Sequence, residues 1–571
     1  MRYNLFYILL IINLSSNLNA QKYDHNWMSG IYNNFYIDFA DFPPSIYPIN
    51  SQFSFLRTMT FMSDPEGTPA FYSNGCTIQN ASHELVENGN SLLSNDYRCG
   101  NGSYMNYTHS GGVTLPSFFP QQYVMFSMSQ DLPLPPQPCE SNRFVAHYID
   151  MAANQGKGKV TKKEQELLSG CFQEASANRH ANGRDWWILL GDNQQGRFYR
   201  WLFTPSGLQG PWVQTMSNPT VDGYWYCGWS EFSSNGERYM VNACRTGTVV
   251  YDFDRCTGQL SNPLFLEHST AYNDPATFSP DSRFLYTTDK ILKELIQYDL
   301  TATNVNASKK VISIWDGTVD SVNAPSVFGF IQHGPDGKLY IWAGGSYYMH
   351  IIDFPNRSGF DCNVRQRAIQ LPGICFGPSL YYPRYRLGPI EESTCDSLGI
   401  NNLPTALFRY DIEDTINPLQ VTFTDVSSYL PTAWHWDFGD GAMSQDTNPV
   451  HTYAMAGAYN VCLIVSNAYA ADTFCRQVVV GISGIHELPA LPHATVMPNP
   501  FSEGITVELP ALVGVHPRFV LSDLYGRVIA NTTLHDFETT LSLPKLPTGV
   551  YVWQLIWNGV RTQSGRLVKV D

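Results

Sequence analysis

One turn recurs through the first 350 residues: a Gly, Asp or Asn turn, then a charged residue, then an aromatic or aliphatic strand. Its clearest copies are Asn182-Gly183-Arg184-Asp185-Trp186-Trp187, Asn235-Gly236-Glu237-Arg238-Tyr239-Met240, Asp281-Ser282-Arg283-Phe284-Leu285-Tyr286 and Asp336-Gly337-Lys338-Leu339-Tyr340-Ile341. The second turn residues are spaced by 53, 46 and 55 positions. Weaker copies precede them, at Glu66-Gly67 leading into Ala70-Phe71-Tyr72 and at Pro120-Gln121-Gln122 leading into Tyr123-Val124-Met125-Phe126. A period near 50 with several short strands per unit is the pattern of a β-propeller, whose four-stranded blades bury their faces against one another around an axis. Six blades are visible. A ring must close, and Leu371–Tyr385 together with the N-terminal strand near Ile31–Phe39 would supply a further blade, so seven are expected, with six or eight the neighbouring solutions. The propeller is assigned to residues 21–390.

Composition agrees with an all-β chain: aromatics are 14% of the 571 residues and charged residues only 15%. The net charge of −15 supplies no cationic footprint for nucleic acid or an anionic membrane. Residues 1–20 have the basic start, short apolar run and small-residue end of a secretory signal peptide, with cleavage expected before Gln21. No later run is long and apolar enough for a transmembrane segment in the mature chain.

All twelve cysteines follow the signal peptide, so an oxidising compartment and disulfides are expected. No pair has zinc-site spacing, and neither a metal nor another cofactor is expected. If Asn235-Gly236 forms a two-residue type I′ hairpin, opposed residues sum to 471, as Cys227 and Cys244 do. A second bridge is expected between Cys462 and Cys475, which flank a turn near Ala468-Tyr469.

From about Cys395 the strands become shorter and alternate cleanly, as in Leu419-Val421-Phe423 and Tyr459-Val461-Leu463-Val465. Residues 396–481 read as a small β-sandwich, and 491–571 as a second one beyond a linker.

Trp434-His435-Trp436-Asp437-Phe438-Gly439-Asp440-Gly441, followed by Asn448-Pro449-Val450-His451-Thr452-Tyr453, closely resembles the PKD domain. The resemblance implies an immunoglobulin-like sandwich acting as a spacer or adhesive module. The segment 491–571 resembles the type A sorting domain of the type IX secretion system. It does so through Met497-Pro498-Asn499-Pro500-Phe501, Leu524-Tyr525-Gly526-Arg527, Leu546-Pro547-Thr548-Gly549-Val550-Tyr551 and the ending Gly565-Arg566-Leu567-Val568-Lys569-Val570. The motif residues carried over are Pro498, Asn499, Pro500, Tyr525, Gly526, Gly549 and Tyr551. The type IX machinery is the implied partner, with outer-membrane passage to the cell surface or medium. The repeat region resembles a less characterised group of exported propellers that precede such domains, which supports the fold and implies no activity.

No nucleophile elbow, zinc-protease helix or phosphate loop occurs, and no catalytic residue is assigned. His180–Trp187 and the basic run Lys157–Lys163 are read as turn and solvated edge. The richest aromatic run, Asp222 to Glu231, offers Asp222, Trp225, Trp229 and Glu231 as candidates for stacking on and hydrogen bonding a glycan, against a default of interblade core. The favoured expectation is a surface-attached or released binding protein with an extracellular glycan or protein ligand. The alternatives are a secreted glycan- or peptide-acting enzyme with its site in the propeller funnel, marked by two converging carboxylates, and a structural envelope component.

Overall fold

The computed structural model describes residues 21–30, 33–40, 42–49, 60–94, 99, 112–129, 143–172, 175–192, 196–216, 229–243, 247–266, 273–320, 323–375, 382–412, 418–481, 495–508, 518–523, 527–534, 538–543, 545–557 and 560–570. Among these, the first 375 residues build seven antiparallel sheets in chain order. Blade one is Asn26–Ser29, Phe35–Asp38 and Ser45–Pro48; blade two is Thr60–Ser63, Pro69–Ser73 and Ile78–Asn80. Blades three to seven each have four strands, beginning at Val113–Pro116, Ala175–Arg179, Trp229–Phe232, Asn273–Phe278 and Ile331–His333. From blade two onward the first strands adjoin one another around the axis. They also touch directly: Ser176 Oγ of blade four donates to the Ser230 carbonyl of blade five at 2.8 Å.

Burial follows position in the blade. Ala175–Arg179 is buried along its whole length, while the outermost strand of the same blade, Gly207–Thr215, is largely exposed. The innermost strands have neighbouring blades on both faces and therefore carry continuous buried runs instead of alternation. Aromatic rings fill the layers between blades, as with Phe198 of blade four against Tyr239 and Tyr251 of blade five.

The recurrent turns join first to second strands. Each holds one residue in the left-handed region: Gly67, Gln121, Gly183, Gly236, Ser282 and Gly337, with φ between 57° and 94°. At Asn235-Gly236 only Gly236 has positive φ, so the turn is not type I′. A four-residue loop is closed between Ser233 and Arg238 instead, where Ser233 N–H donates to the Arg238 carbonyl. The register nevertheless keeps the sum of 471, with Trp229 opposite Asn242 and Phe232 opposite Tyr239. Cys227 and Cys244 lie outside the described residues.

Blade one departs from the others. Asn26, at the start of its first strand, bonds Ser63 Oγ and the Gly67 carbonyl, at the end of the first strand of blade two and in the turn that follows it. That strand therefore runs opposite to its neighbour. The last blade ends at Cys375, and Tyr382 Oη then donates to the Asn26 carbonyl. Leu371–Cys375 thus belongs to the fourth strand of blade seven and Phe35–Asp38 to blade one, so the two do not combine in one blade as expected; residues 376–381 lie outside the described residues.

A β-bulge with positive φ kinks the outermost strands of blades three, four, five and seven, at Glu164, Gly210, Asn262 and Arg367. In blades three and seven the freed amide is captured by a buried histidine on the third strand. Glu164 N–H donates to His147 Nδ1 at 3.2 Å, and Arg367 N–H to His350 Nδ1 at 3.1 Å.

Residues 408–480 form two facing sheets around Trp436, which packs against Phe408 and Phe423 and donates through Nε1 to the Asp446 carbonyl. Cys462 lies opposite Cys475 in register with Cα atoms 4.1 Å apart, and the two are disulfide-bonded. This sandwich is docked on blade seven. The buried Arg409 donates to the Asp353 carbonyl at 2.5 Å and pairs with Asp411, while Lys338 bridges Asp353 and Asp411 at 2.8 and 2.6 Å.

The C-terminal sandwich packs Phe501, Phe519, Trp553 and Leu567 in its core. Asn499 clamps the last strand, with Nδ2 donating to the Arg566 carbonyl and Oδ1 accepting from Val568 N–H, both at 2.9 Å. Pro498 and Pro500 flank it, Gly549 opens the strand Gly549–Trp557, and Tyr551 Oη donates to the Pro547 carbonyl at 2.8 Å. Tyr525 and Gly526 lie outside the described residues. Among the described residues no helix is long and apolar enough to cross a membrane.

Candidate functional site: a channel mouth closed by the chain itself

The segment Tyr382–Ile390 crosses one mouth of the central channel and contacts blade after blade. Tyr385 Oη donates to the Thr114 carbonyl of blade three at 2.9 Å, and Arg179 of blade four donates to the Tyr385 carbonyl at 3.1 Å. Arg384 reaches Glu231 on the innermost strand of blade five at 2.5 Å. Arg386 pairs with Asp24, Arg255 donates to the Gly388 carbonyl at 2.6 Å, and Ile390 N–H donates to the Ala181 carbonyl at 2.9 Å. The ring of Tyr385 packs edge-on against Trp186 and beside Tyr23. Beyond the mouth, Cys395 is disulfide-bonded to Cys256 in the turn joining the last two strands of blade five.

This mouth is the one lined by the recurrent turns. Pro389 covers Gly183 and Leu387 covers Gly236 so closely that a Cβ at either glycine would sit within 2.8 Å of them. Blade seven's final turn, which holds the PKD sandwich through Asp353, opens on the same side.

Of the sequence candidates, Trp229 and Glu231 sit on the innermost strand of blade five, at 6% and 7% exposure. Neither presents a surface to solvent for a sugar ring. Burial pushes the Glu231 carboxyl up, opposed by Arg384 and by the Thr277 and Trp229 side chains. His333 Nε2 lies 3.9 Å from Glu231. Burial and the Arg384 charge hold that imidazole far below its usual range, so it stays neutral and the attraction is carried by Arg384. Asp222 and Trp225 lie outside the described residues.

The other singled-out segments are structural. His180 Nδ1 accepts from Asn182 N–H, its Nε2 meets the Cys256 carbonyl, and Asp185 bonds Asn182 and Arg184, which fixes the turn. Lys157 and Lys159 pair with Glu84 and Glu87 of blade two. Among the described residues no group of three or more His, Cys, Asp or Glu side chains is placed to hold a metal ion. The sequence did not show that Tyr382–Ile390 crosses the mouth, because its contacts with the blades join residues more than a hundred positions apart.

Comparison with known proteins covers the chain in parts. Residues 403–481 match the PKD domain family and 495–569 the secretion system C-terminal sorting domain. A collagenase, ColQ1 of Bacillus cereus, is 34% identical over 76 residues, 13% of this chain and 7% of that protein. The chain thus spans a small fraction of the curated relative's length. The PKD1 domain of the Vibrio cholerae metalloprotease PrtV is 30% identical, covering 14% of this chain and 96% of that one, with a TM-score of 0.13. A putative 6-phosphogluconolactonase from Bacteroides fragilis is 11% identical over 61% of this chain and 94% of that one. The periplasmic gluconolactonase of Pseudomonas aeruginosa is 13% identical over 61% and 97%, and both have TM-scores of 0.38. The chain is a multidomain protein secreted through the type IX system to the cell surface or extracellular space, with a propeller-like fold, a PKD domain and a C-terminal sorting domain.

Proposed function

We propose that this is a surface-delivered binding protein whose propeller recognises an extracellular glycan or protein through its outer surface and not through its channel. The observation that supports this reading is the closure of the PKD-side mouth by Tyr382–Ile390, with Glu231 committed to Arg384. A glycoside hydrolase working in the funnel needs two carboxylates held about 5–10 Å apart around the scissile bond. Here the carboxylates Glu231, Asp24 and Asp185 are each tied to an arginine of the chain. The PKD domain, held against blade seven by Arg409, then orients the propeller on its way to the envelope, and the sorting domain addresses the whole to the type IX machinery.

The test is to incubate the full chain with panels of extracellular glycans and proteins, following both complex formation and ligand integrity. Saturable binding with the ligand recovered unchanged is expected, and unchanged again in Glu231→Gln. Conversion of a ligand, abolished by Glu231→Gln, would contradict the reading.

A further inference from the structure

We propose that the outer edge of the groove between blades four and five, at Arg200 and Trp212, is a binding site for a uronic-acid unit of an acidic glycan. The proposal rests on the surface-binding reading above and names the ligand class and the place.

Arg200 and Trp212 lie directly opposite each other on the third and fourth strands of blade four. Opposed side chains on neighbouring strands have Cβ atoms about 5 Å apart and share a face. Trp212 is 41% exposed, unusual for so large an apolar side chain on an outermost strand. Its indole meets the buried Trp187 in a T-shaped contact at 6.1 Å, which holds the exposed ring in place. Across the groove stands the turn of blade five that ends in Gly258. A Cβ there would lie 2.9 Å from Arg200 Cδ and 2.8 Å from Trp187, so the turn packs its bare glycine backbone directly on the arginine stem and the indole, and fixes where the guanidinium emerges.

The Arg200 side chain has no ion pair or hydrogen bond among the described residues, and its Nε is buried without an acceptor. Burial lowers its pKa, the mark of a cation partly stripped of water and uncompensated. The nearest acidic side chain of the facing turn, Asp254, is spent on that turn, accepting from Cys256 N–H at 2.8 Å and from Thr257 Oγ1 at 2.7 Å. An unpaired, half-buried guanidinium on a chain of net charge −15 asks for an anion of matching geometry. A carboxylate accepts two parallel N–H donors from such a fork. An aromatic face beside it favours a ligand with an apolar ring surface. A uronic acid supplies both: its ring C–H face covers Trp212, and its carboxylate, one bond off the ring, turns toward Arg200. Phosphate or sulfate would satisfy the arginine and leave the tryptophan unused.

The experiment is calorimetric titration of the full chain with tetragalacturonate, oligoalginate and hyaluronan oligosaccharides, each beside its methyl ester or a neutral oligosaccharide of equal length. At least one acidic ligand is expected to bind, and its ester to bind about tenfold more weakly or worse. Arg200→Gln and Trp212→Ala should each cost roughly ten- to a hundredfold in affinity, with unchanged melting temperature. Failure of all three acidic ligands, equal affinity for acid and ester, or affinity untouched by both substitutions would overturn the site. Saturable binding of some other glycan or protein, unaffected by the two substitutions, would overturn it while leaving the surface-binding reading standing.

Discussion

Arg384 donates to Glu231 at 2.5 Å across 153 residues of sequence, tying the segment that follows the last blade to the innermost strand of blade five. The pair is what a closed ring needs at its axis: a buried carboxylate given its counter-charge by chain that arrives only after every blade has been made. Removing one partner of such a pair leaves an uncompensated buried charge, at about 3 kcal/mol or more. Arg384→Ala is therefore expected to lower propeller stability by that order in urea titration. Replacing both residues by methionine should recover most of the loss, since no charge is then left alone. Equal losses in single and double variants would contradict the pairing.

The Cys256–Cys395 bond closes a loop of 139 residues, for which the loop-entropy account gives an upper figure of about 5 kcal/mol. Cys256→Ala with Cys395→Ala should lower the propeller's melting temperature and speed tryptic cleavage after Arg384 and Arg386. The PKD sandwich keeps its own bridge and should melt as before. Unchanged cleavage would show that the segment is held without the bond.

His147 and His350 predict an acid limb of stability. Burial lowers both pKa values from 6.5 to about 4; Glu164 opposes this at His147 and Asp316 at His350, while Lys163 and Arg143, and Arg367, reinforce it. The unfolded chain takes up these protons near pH 6.5 and the folded chain only near 4. Each contribution is thus complete above pH 6.5 and is lost as pH falls toward 4, at roughly 3 kcal/mol per histidine. Glutamine at both positions keeps an acceptor for the bulge amide and removes the titration. It should flatten the pH dependence of urea midpoints between pH 6.5 and 4, and an unchanged slope would contradict the assignment.

What was legible in the sequence was local. Gly183, Gly236, Ser282 and Gly337 sit in turns whose residues are all within a few positions, and the same left-handed conformation serves each. Gly67 and Gln121, in the weaker copies, take it too, so the periodicity carried the fold through six blades. The PKD and sorting segments were legible because their motifs are dense: Trp436 finds its core partners in the same sandwich, and Asn499 its strand. The channel closure was not legible. Glu231 stood in an aromatic run read by default as interblade core, with a ligand surface as the alternative, and nothing near it in the sequence pointed to Arg384, 153 residues on. Arg200 and Trp212 were missed for a related reason, since their meaning lies in what is absent around the guanidinium.

The contact between domains also carries an expectation. Arg409 is 98% hidden from solvent yet belongs to the PKD sandwich and donates to the blade-seven carbonyl of Asp353. Arg409→Ala should leave both units folded while loosening their docking, read as an increased radius of gyration in small-angle scattering. A scattering curve identical to that of the unaltered chain would contradict a holding role for the arginine.

The most direct test of the closed channel is hydrogen exchange on the full chain, resolved to peptides within residues 382–390. If that segment closes the mouth, its amides, Ile390 among them, exchange as slowly as those of the innermost strand Ala175–Arg179. Complete exchange of 382–390 at the shortest times, with the innermost strands still protected, would show an open channel and return Glu231 to the list of residues free to act.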